Sequence, residues 1–131
     1  MGKRNTGRKL AMQTLYQTEV RKADIETVLD VFMEKAAYLE TTKEWSCFLA
    51  RNTFAKKEEL DKIIAQYAID WDLDRINPLD KSLLRLALYE LKYTDTPLCV
   101  VLDEVIEIAK KYSTQDSAKF INGILGKYIS D

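Results

Sequence analysis

Apolar residues recur along most of the chain at spacings of three and four, which is the period of an amphipathic α-helix. No segment alternates apolar and polar residues at the two-residue period of a half-buried strand. Glycine and proline, which interrupt helices, are rare, with four and two copies in 131 residues. The pattern therefore predicts an all-α fold.

The segment 76–91 is the predicted centre of this fold. Asn77 is a good N-cap, Pro78 suits the first helical position, and Asp80 places a carboxylate near the positive end of the helix dipole. Leucines then cover more than one face, and a helix that is apolar nearly all round is normally buried on several sides. We therefore expect the other helices to pack around this one.

The pattern on either side of the centre predicts the order of the remaining helices. Residues 1–6 are expected to form a mobile arm, followed by a helix over about 6–20. One long helix is expected over 43–68 because it contains no glycine or proline, although a break near 52–53 stays open. The acidic segment 69–76, with a short turn begun by Asp72, is expected to join an N-terminal subdomain (1–68) to a C-terminal subdomain (69–131).

The last predicted helix carries two glycines and one aromatic residue of interest. Gly123 and Gly126 each cost about 1 kcal/mol relative to alanine, which predicts close packing against a neighbouring backbone. Asn122 falls on the expected core stripe of this helix, whereas Phe120 lies off it, beside Lys119. Phe120 either fills a gap against another helix or stacks on an unpaired base, and its spacing alone favours the packing interpretation.

Composition removes several classes of function. The chain contains no histidine, which excludes histidine-dependent nucleophilic sites and zinc sites that use imidazole. Its two cysteines, Cys47 and Cys99, lie far apart and are expected to be small buried hydrophobic residues. No apolar run approaches the length of a membrane span, and the N-terminus lacks a signal-peptide pattern. These observations predict a cytoplasmic protein without a cofactor or metal.

Charge is distributed unevenly along the chain, although the net charge is only −1. Residues 1–22 contain six basic residues and one acidic residue, whereas the remainder contains 14 basic and 20 acidic residues. A basic N-terminal segment on an acidic body indicates an anionic ligand at that end. A solvated tail that aids solubility explains the charge alone equally well.

Three stretches are more specific than a helical period. They read AMQTLYQTEV near the N-terminus, LDKSLLRLALYEL in the middle and DEVIEIAKKYSTQDSAKFINGILGKY at the C-terminal end. The last contains DSxKFxNGxL, which is not a generic core pattern. Together the three stretches resemble the bacterial transcription antitermination factor NusB family.

The resemblance implies a fold and a function. NusB-like proteins have about seven helices in two packed bundles. They bind the boxA element of nascent, single-stranded RNA, especially ribosomal RNA, together with NusE, a ribosomal small-subunit protein. The pair assists an antitermination complex on RNA polymerase, and no catalytic step is involved. The resemblance therefore implies an RNA-binding transcription factor rather than an enzyme.

The resemblance also implies roles for individual residues. Tyr16 and Asp80 correspond to positions used toward NusE. Compared with typical members, the N-terminal arm is short and has Asn5 and Thr6 where basic residues are common, so we expect a greater dependence on NusE for RNA binding. The residues implied on the RNA side lie in the arm, the first helix and the last helix: Lys3, Arg4, Arg8, Lys9, Gln13, Asp116, Lys119, Phe120 and Asn122.

One rival interpretation comes from a different functional class. A helical protein–protein adaptor, or a homodimer in which the basic arm is incidental, predicts no RNA binding with or without NusE. The same fold also occurs beside ribosomal RNA methyltransferase domains, but this chain has no glycine-rich cofactor loop and no room for a catalytic domain. The sequence leaves the choice between monomer and homodimer open.

Overall fold

The computed structural model describes residues 3–35, 37–69 and 72–131, and the side chains of Lys3 and Lys35 lie outside this description. The described residues contain seven α-helices, one short 3₁₀ helix and no strand, which confirms the all-α prediction. The α-helices are α1 (Lys3–Arg21), α2 (Ile25–Lys35), α3 (Glu40–Ala55), α4 (Lys57–Tyr67), α5 (Pro78–Tyr93), α6 (Leu98–Tyr112) and α7 (Gln115–Ser130).

Helix α5 is the centre of the fold, as its sequence predicts. The Asn77 side chain accepts a hydrogen bond from the Asp80 backbone N–H at 2.9 Å, and Pro78 occupies the first helical position. Every residue from Asp80 to Glu90 is buried. Helices α1, α3, α4, α6 and α7 all contact α5. The apolar residues around its whole circumference are therefore explained by neighbours on several sides.

The expected single helix over 43–68 is wrong, because the chain turns at Lys56 between α3 and α4. The Lys56 backbone has φ −99° and ψ 12°, and its N–H donates to the carbonyls of Asn52 and Thr53. Helix α3 packs mainly on α1, whereas α4 packs on α5 and α7. The break allows the apolar faces of α3 and α4 to pack against different helices. Because tertiary packing causes this break, no glycine or proline marks it in the sequence.

The expectation of close packing at the glycines of α7 is also wrong. A Cβ atom at Gly123 or Gly126 would meet nothing within 4 Å, and neither glycine has a positive φ. The closely packed glycine is Gly7 in α1, where a Cβ atom would overlap Cδ1 of the Trp45 ring. Position 7 is thus the place where α1 requires glycine, so that the indole can lie against the helix backbone.

Buried apolar side chains from all seven helices form one cluster. The division into subdomains at residues 68 and 69 stays a prediction, and Asp70 and Trp71 of the connecting segment lie outside the described residues. Asp72 does begin a short turn, because a 3₁₀ helix follows it at Leu73–Arg75. The predicted short turn is therefore confirmed.

The structure bears separately on the predicted burial of the two cysteines and on the predicted lack of a membrane span. Cys47 is partly buried, but Cys99 is exposed, so the expectation of two buried cysteines is wrong for Cys99. Within the described ranges, no group of three or more cysteine, aspartate or glutamate side chains could hold a metal ion. No helix in the described part of the chain has the length and apolar character needed to cross a membrane.

Candidate nucleic-acid interface

The expected mobile arm begins a helix instead. Residues 1 and 2 lie outside the described residues, but α1 already starts at Lys3, and Arg4 is part of its first turn. The Arg4 guanidinium lies over the Trp45 ring, with its Cζ 4.1 Å from the ring centroid. The indole Nε1 also donates to the Arg4 carbonyl at 3.2 Å. Trp45 of α3 therefore holds the basic N-terminus in place while leaving Arg4 exposed.

Arg8 does not lie on the surface, contrary to the expectation that it faces an anionic ligand. Its side chain is only 1% exposed, and its Nε and Nη2 atoms contact the two carboxylate oxygens of Glu90 at 2.6 and 2.7 Å. Glu104 pairs with Nη1 of the same guanidinium. Burial alone would lower the pKa of Arg8, but these two carboxylates raise it overall. Arg8 is therefore an internal ion-pair partner.

The polar face of α1 continues from Lys9 through Gln13 to Tyr16, all three of which are partly exposed. Gln13 and Tyr16 line a cavity of about 430 Å³ that also contacts Leu79 and Tyr112. This cavity lies between α1, α2, the start of α5 and the end of α6. Because Gln13 and Tyr16 share one cavity, a single partner could contact both.

Phe120 and Asp80 line the same small cavity, of about 210 Å³, where the beginnings of α5 and α7 meet. Asp116 and Arg75 also line it. The Phe120 ring is partly buried and packs against the core, so the packing interpretation holds in part, while stacking on a base stays a prediction. The structure thus brings Asp80, Asp116 and Phe120 together, although they belong to two helices.

Asp80 is buried rather than presented to a partner. It is 4% exposed, and its carboxylate accepts hydrogen bonds from the Asn77 side-chain amide at 3.0 Å and the Ser113 hydroxyl at 3.2 Å. These bonds connect the start of α5 to the segment between α6 and α7. The implied role of Asp80 toward NusE stays a prediction. A contact there would need to pass through the cavity shared with Phe120.

Lys119 and Asn122 lie in a second groove, between α6 and α7, with a volume of about 620 Å³. Asn122 is exposed, so its expected place on the core stripe is wrong, and Ile124, 3% exposed, occupies that stripe instead. Lys110 and Glu107 of α6 line the same groove. The Asn122 amide is consequently available to a ligand, beside two lysines.

A separate ionic cluster joins α1, α4 and α5. Arg85 contacts the Asp61 carboxylate at 2.6 and 2.9 Å, and Glu19 lies 3.3 Å from both Lys81 and Arg85. Burial alone would raise the pKa of Glu19, but the two cations lower it overall. This cluster stabilises the bundle and leaves its charges paired within the protein.

Sequence reasoning missed a row of aromatic rings beside Arg4, here called the aromatic row. Trp45 stacks on Phe48 with ring centroids 5.6 Å apart, and Phe48 meets Tyr89 edge-on at 6.1 Å. Tyr89 stacks on Tyr93 at 5.2 Å. The i, i+3 pair on α3 and the i, i+4 pair on α5 were visible in the sequence, but their meeting depends on how the two helices pack.

Comparisons with known proteins identify the family. Residues 5–130 match the family model described as NusB family. The chain belongs to the NusB family. It is 41% identical to the transcription antitermination protein NusB of Streptomyces coelicolor, over 97% of this chain and 92% of that protein. It is also 41% identical to the protein of the same name from Carboxydothermus hydrogenoformans, over 98% of this chain and 92% of that protein.

Solved structures of NusB proteins have the same fold. The NusB structure of T. maritima superposes with a TM-score of 0.90 at 34% identity, covering 100% of this chain and 92% of that one. A NusB chain crystallised with NusE and double-stranded RNA also gives a TM-score of 0.90, at 25% identity, covering 100% of this chain and 99% of that one. The resemblance to the NusB family and its seven-helix architecture are thus confirmed.

Proposed function

We propose that this protein is an RNA-binding transcription antitermination factor, which binds boxA-like single-stranded RNA together with NusE and joins an antitermination complex on RNA polymerase. Relatives named transcription antitermination protein, and a similar NusB structure with NusE and double-stranded RNA, support the antitermination role and the binding of RNA and NusE. The proposed role involves no catalytic step by this chain. Because it acts on nascent RNA, the proposed location is the cytoplasm.

The exposure of Phe120 is the observation that carries the proposal. Its sequence neighbours toward the core, Ala118 and Ile121, are 3% and 0% exposed, yet Phe120 keeps part of its ring accessible. An aromatic ring of this kind can stack on an unpaired base while nearby lysines meet the phosphates. Lys119 is the adjacent exposed cation, and Asn122 can form hydrogen bonds with a base edge.

The proposed RNA contacts follow from where the structure places each side chain. Arg8 is omitted, because its charge is neutralised inside the protein. Tyr16 is the proposed contact with NusE, and because Gln13 lines the same cavity, the NusE and RNA contacts are proposed to meet there. The proposed RNA side contains Arg4, Lys9, Gln13, Asp116, Lys119, Phe120 and Asn122, and it keeps Lys3, whose side chain lies outside the described part of the chain.

Replacing Phe120 with leucine tests the proposal, because leucine keeps most of the apolar packing and removes the ring. The RNA affinity, titrated with a boxA-like single strand in the presence of NusE, should fall by about 1–3 kcal/mol. Phe54→Leu is the matched control, since Phe54, like Phe120, is partly buried against the core and lies outside the Phe120 cavity. Equal RNA affinity for Phe120→Leu and the unmodified protein would contradict the stacking role.

RNA titrations without NusE, or with an RNA that lacks boxA, distinguish this function from that of a protein-only adaptor. The unmodified protein should bind boxA-like RNA more tightly with NusE than without it, and a scrambled RNA more weakly in both cases. Binding to NusE with no RNA affinity in any mixture would favour the adaptor interpretation instead.

A further inference from the structure

The aromatic row forms one wall of a cleft at the end of the bundle where α1 begins. The cleft has a volume of about 630 Å³, which is within the usual range for ligand sites. Arg4 and Trp45 lie on one side of it, and the segment from Thr94 to Pro97, between α5 and α6, lies on the other. The cleft is about 20 Å from the Phe120 cavity, because the two lie at opposite ends of the 16-residue helix α5.

Two rings of the aromatic row expose large areas to solvent. Phe48 is 42% exposed and Tyr93 is 39% exposed, whereas Tyr89 between them is 5% exposed. The buried tyrosine therefore supports the outer rings from below. Rigid, supported aromatic faces are what single-strand binding proteins offer to unpaired bases, because every base has a π-face that can stack.

Cations surround these rings. Lys56 and Lys92 lie 5.2 and 5.5 Å from the centroid of the Tyr93 ring, and Arg4 lies over Trp45. The nearby acids Glu59 and Glu104 are already paired, with Lys92 and Arg8 respectively. Lys56 and Arg4, which have no ion-pair partner among the described residues, therefore complement phosphates, with Asp95 as the nearby acid in the cleft, and the exposed apolar surface between them complements bases.

We propose that the cleft formed by the aromatic row binds unpaired bases of an RNA strand, as a second stacking site distinct from Phe120. This inference rests on the proposed function, which brings RNA to the chain. Arg4 belongs to both the basic N-terminus and the cleft wall, so the second site is continuous with the proposed RNA contacts. Asp95 is exposed and lines the same cleft, so its carboxylate can accept a hydrogen bond from the edge of a stacked base.

The separation of the two stacking sites determines which RNA can use both. Stacked nucleotides rise about 3.4 Å each, so a distance of about 20 Å corresponds to roughly six nucleotides. A boxA-like strand that is extended by six or more unpaired nucleotides at the end nearer the cleft, here called the correct end, should therefore bind more tightly than the unextended, short strand. Extension at the opposite end should add little.

Phe48→Leu tests the second site, because leucine keeps the apolar side chain but removes the stacking surface. The affinity for the correctly extended strand should fall about 5- to 150-fold, and the affinity for the short strand should not change. Tyr93→Phe keeps the ring and should bind normally, whereas Tyr93→Leu should behave like Phe48→Leu. Tyr38→Leu is the matched control, since Tyr38 is 43% exposed and lies outside the cleft.

A hexanucleotide without the boxA sequence makes the outcome independent of boxA recognition. Its binding to the unmodified protein should be weakened by Phe48→Leu and unaffected by Phe120→Leu. Equal affinities of Phe48→Leu and unmodified protein for both the extended strand and the hexanucleotide would overturn the second site. Loss of NusE affinity with unchanged RNA affinity would assign the cleft to a protein contact and would also overturn it. Failure of boxA binding alone counts against the proposed function, not against the cleft.

Discussion

Replacing Arg8 with alanine should destabilise the protein strongly, because the change leaves the buried carboxylate of Glu90 without its main partner. The Glu90 side chain is 0% exposed and accepts two hydrogen bonds from Arg8. After the substitution, the Thr96 hydroxyl, 3.2 Å from Oε1, would be the one side-chain hydrogen-bond donor to this carboxylate left among the described residues. One neutral hydroxyl cannot compensate a buried negative charge.

The magnitude follows from the burial of both partners. Removing one partner of a buried ion pair costs about 3–5 kcal/mol of the free energy of unfolding. For a chain of this size, that loss corresponds to a decrease in Tm of roughly 10–20 °C. Urea titration followed by circular dichroism measures the free energy directly. The double variant Arg8→Met with Glu90→Met should recover most of the loss, because apolar side chains of similar volume need no charged partner.

Arg4→Ala is the matched control, because Arg4 is also basic and near the start of α1 but is exposed. It loses only the contact with Trp45, so its free energy of unfolding should fall by at most about 1 kcal/mol. In RNA titrations against salt, Arg4→Ala should flatten the slope by about 0.7, and folded Arg8→Ala should leave the slope unchanged. A stability loss below about 1 kcal/mol for Arg8→Ala would refute the buried pair.

Other residues give three independent tests. Gly7→Ala should lower the free energy of unfolding by about 1–3 kcal/mol, because the added Cβ would overlap Trp45; an unchanged urea midpoint would contradict that contact. Gly123→Ala and Gly126→Ala should each raise the free energy of unfolding by up to about 1 kcal/mol, since nothing lies within 4 Å of the added Cβ atom. A lower free energy of unfolding would contradict the open space at these positions. The lowered pKa of Glu19 means that its stabilisation is complete above its ordinary pKa of about 4.3 and is lost as the pH falls through the lower folded value. Glu19→Gln should therefore lose less stability on acidification, as an acid titration by circular dichroism would measure; an identical acid limb would exclude this role.

The central helix could be predicted because its signals are local. Asn77, Pro78 and Asp80 occupy neighbouring positions, and each contributes to the helix start through its own backbone or side-chain chemistry. The burial of the helix was visible as an excess of leucine on all its faces. The break at Lys56 was not visible, because it depends on which distant helices receive the two apolar faces.

The candidate site was less predictable because charge and periodicity do not specify distant partners. Arginine is usually exposed, so the sequence alone suggested that Arg8 lies on the surface. Its partner Glu90 is 82 residues away, in a helix that is otherwise rich in leucine. A glutamate inside that apolar helix was the available signal for a buried cation. Phe48 and Tyr93 likewise form one cleft only after α3 and α5 have packed against α1.

Because Arg8 is buried and paired, it cannot bind an RNA phosphate, and base stacking must contribute a larger share of the RNA-binding free energy. Arg21 and Lys22 lie at the opposite end of α1 from Arg4 and Lys9, so they do not add to the charge at its start. Arg4 and Lys9, together with Lys119 of α7, would neutralise about three phosphates and give a salt slope of about −2.1. So few electrostatic contacts provide only weak binding. Most of the RNA affinity must therefore come from base stacking and from NusE, which is why the ring substitutions should matter more than the loss of any one cation.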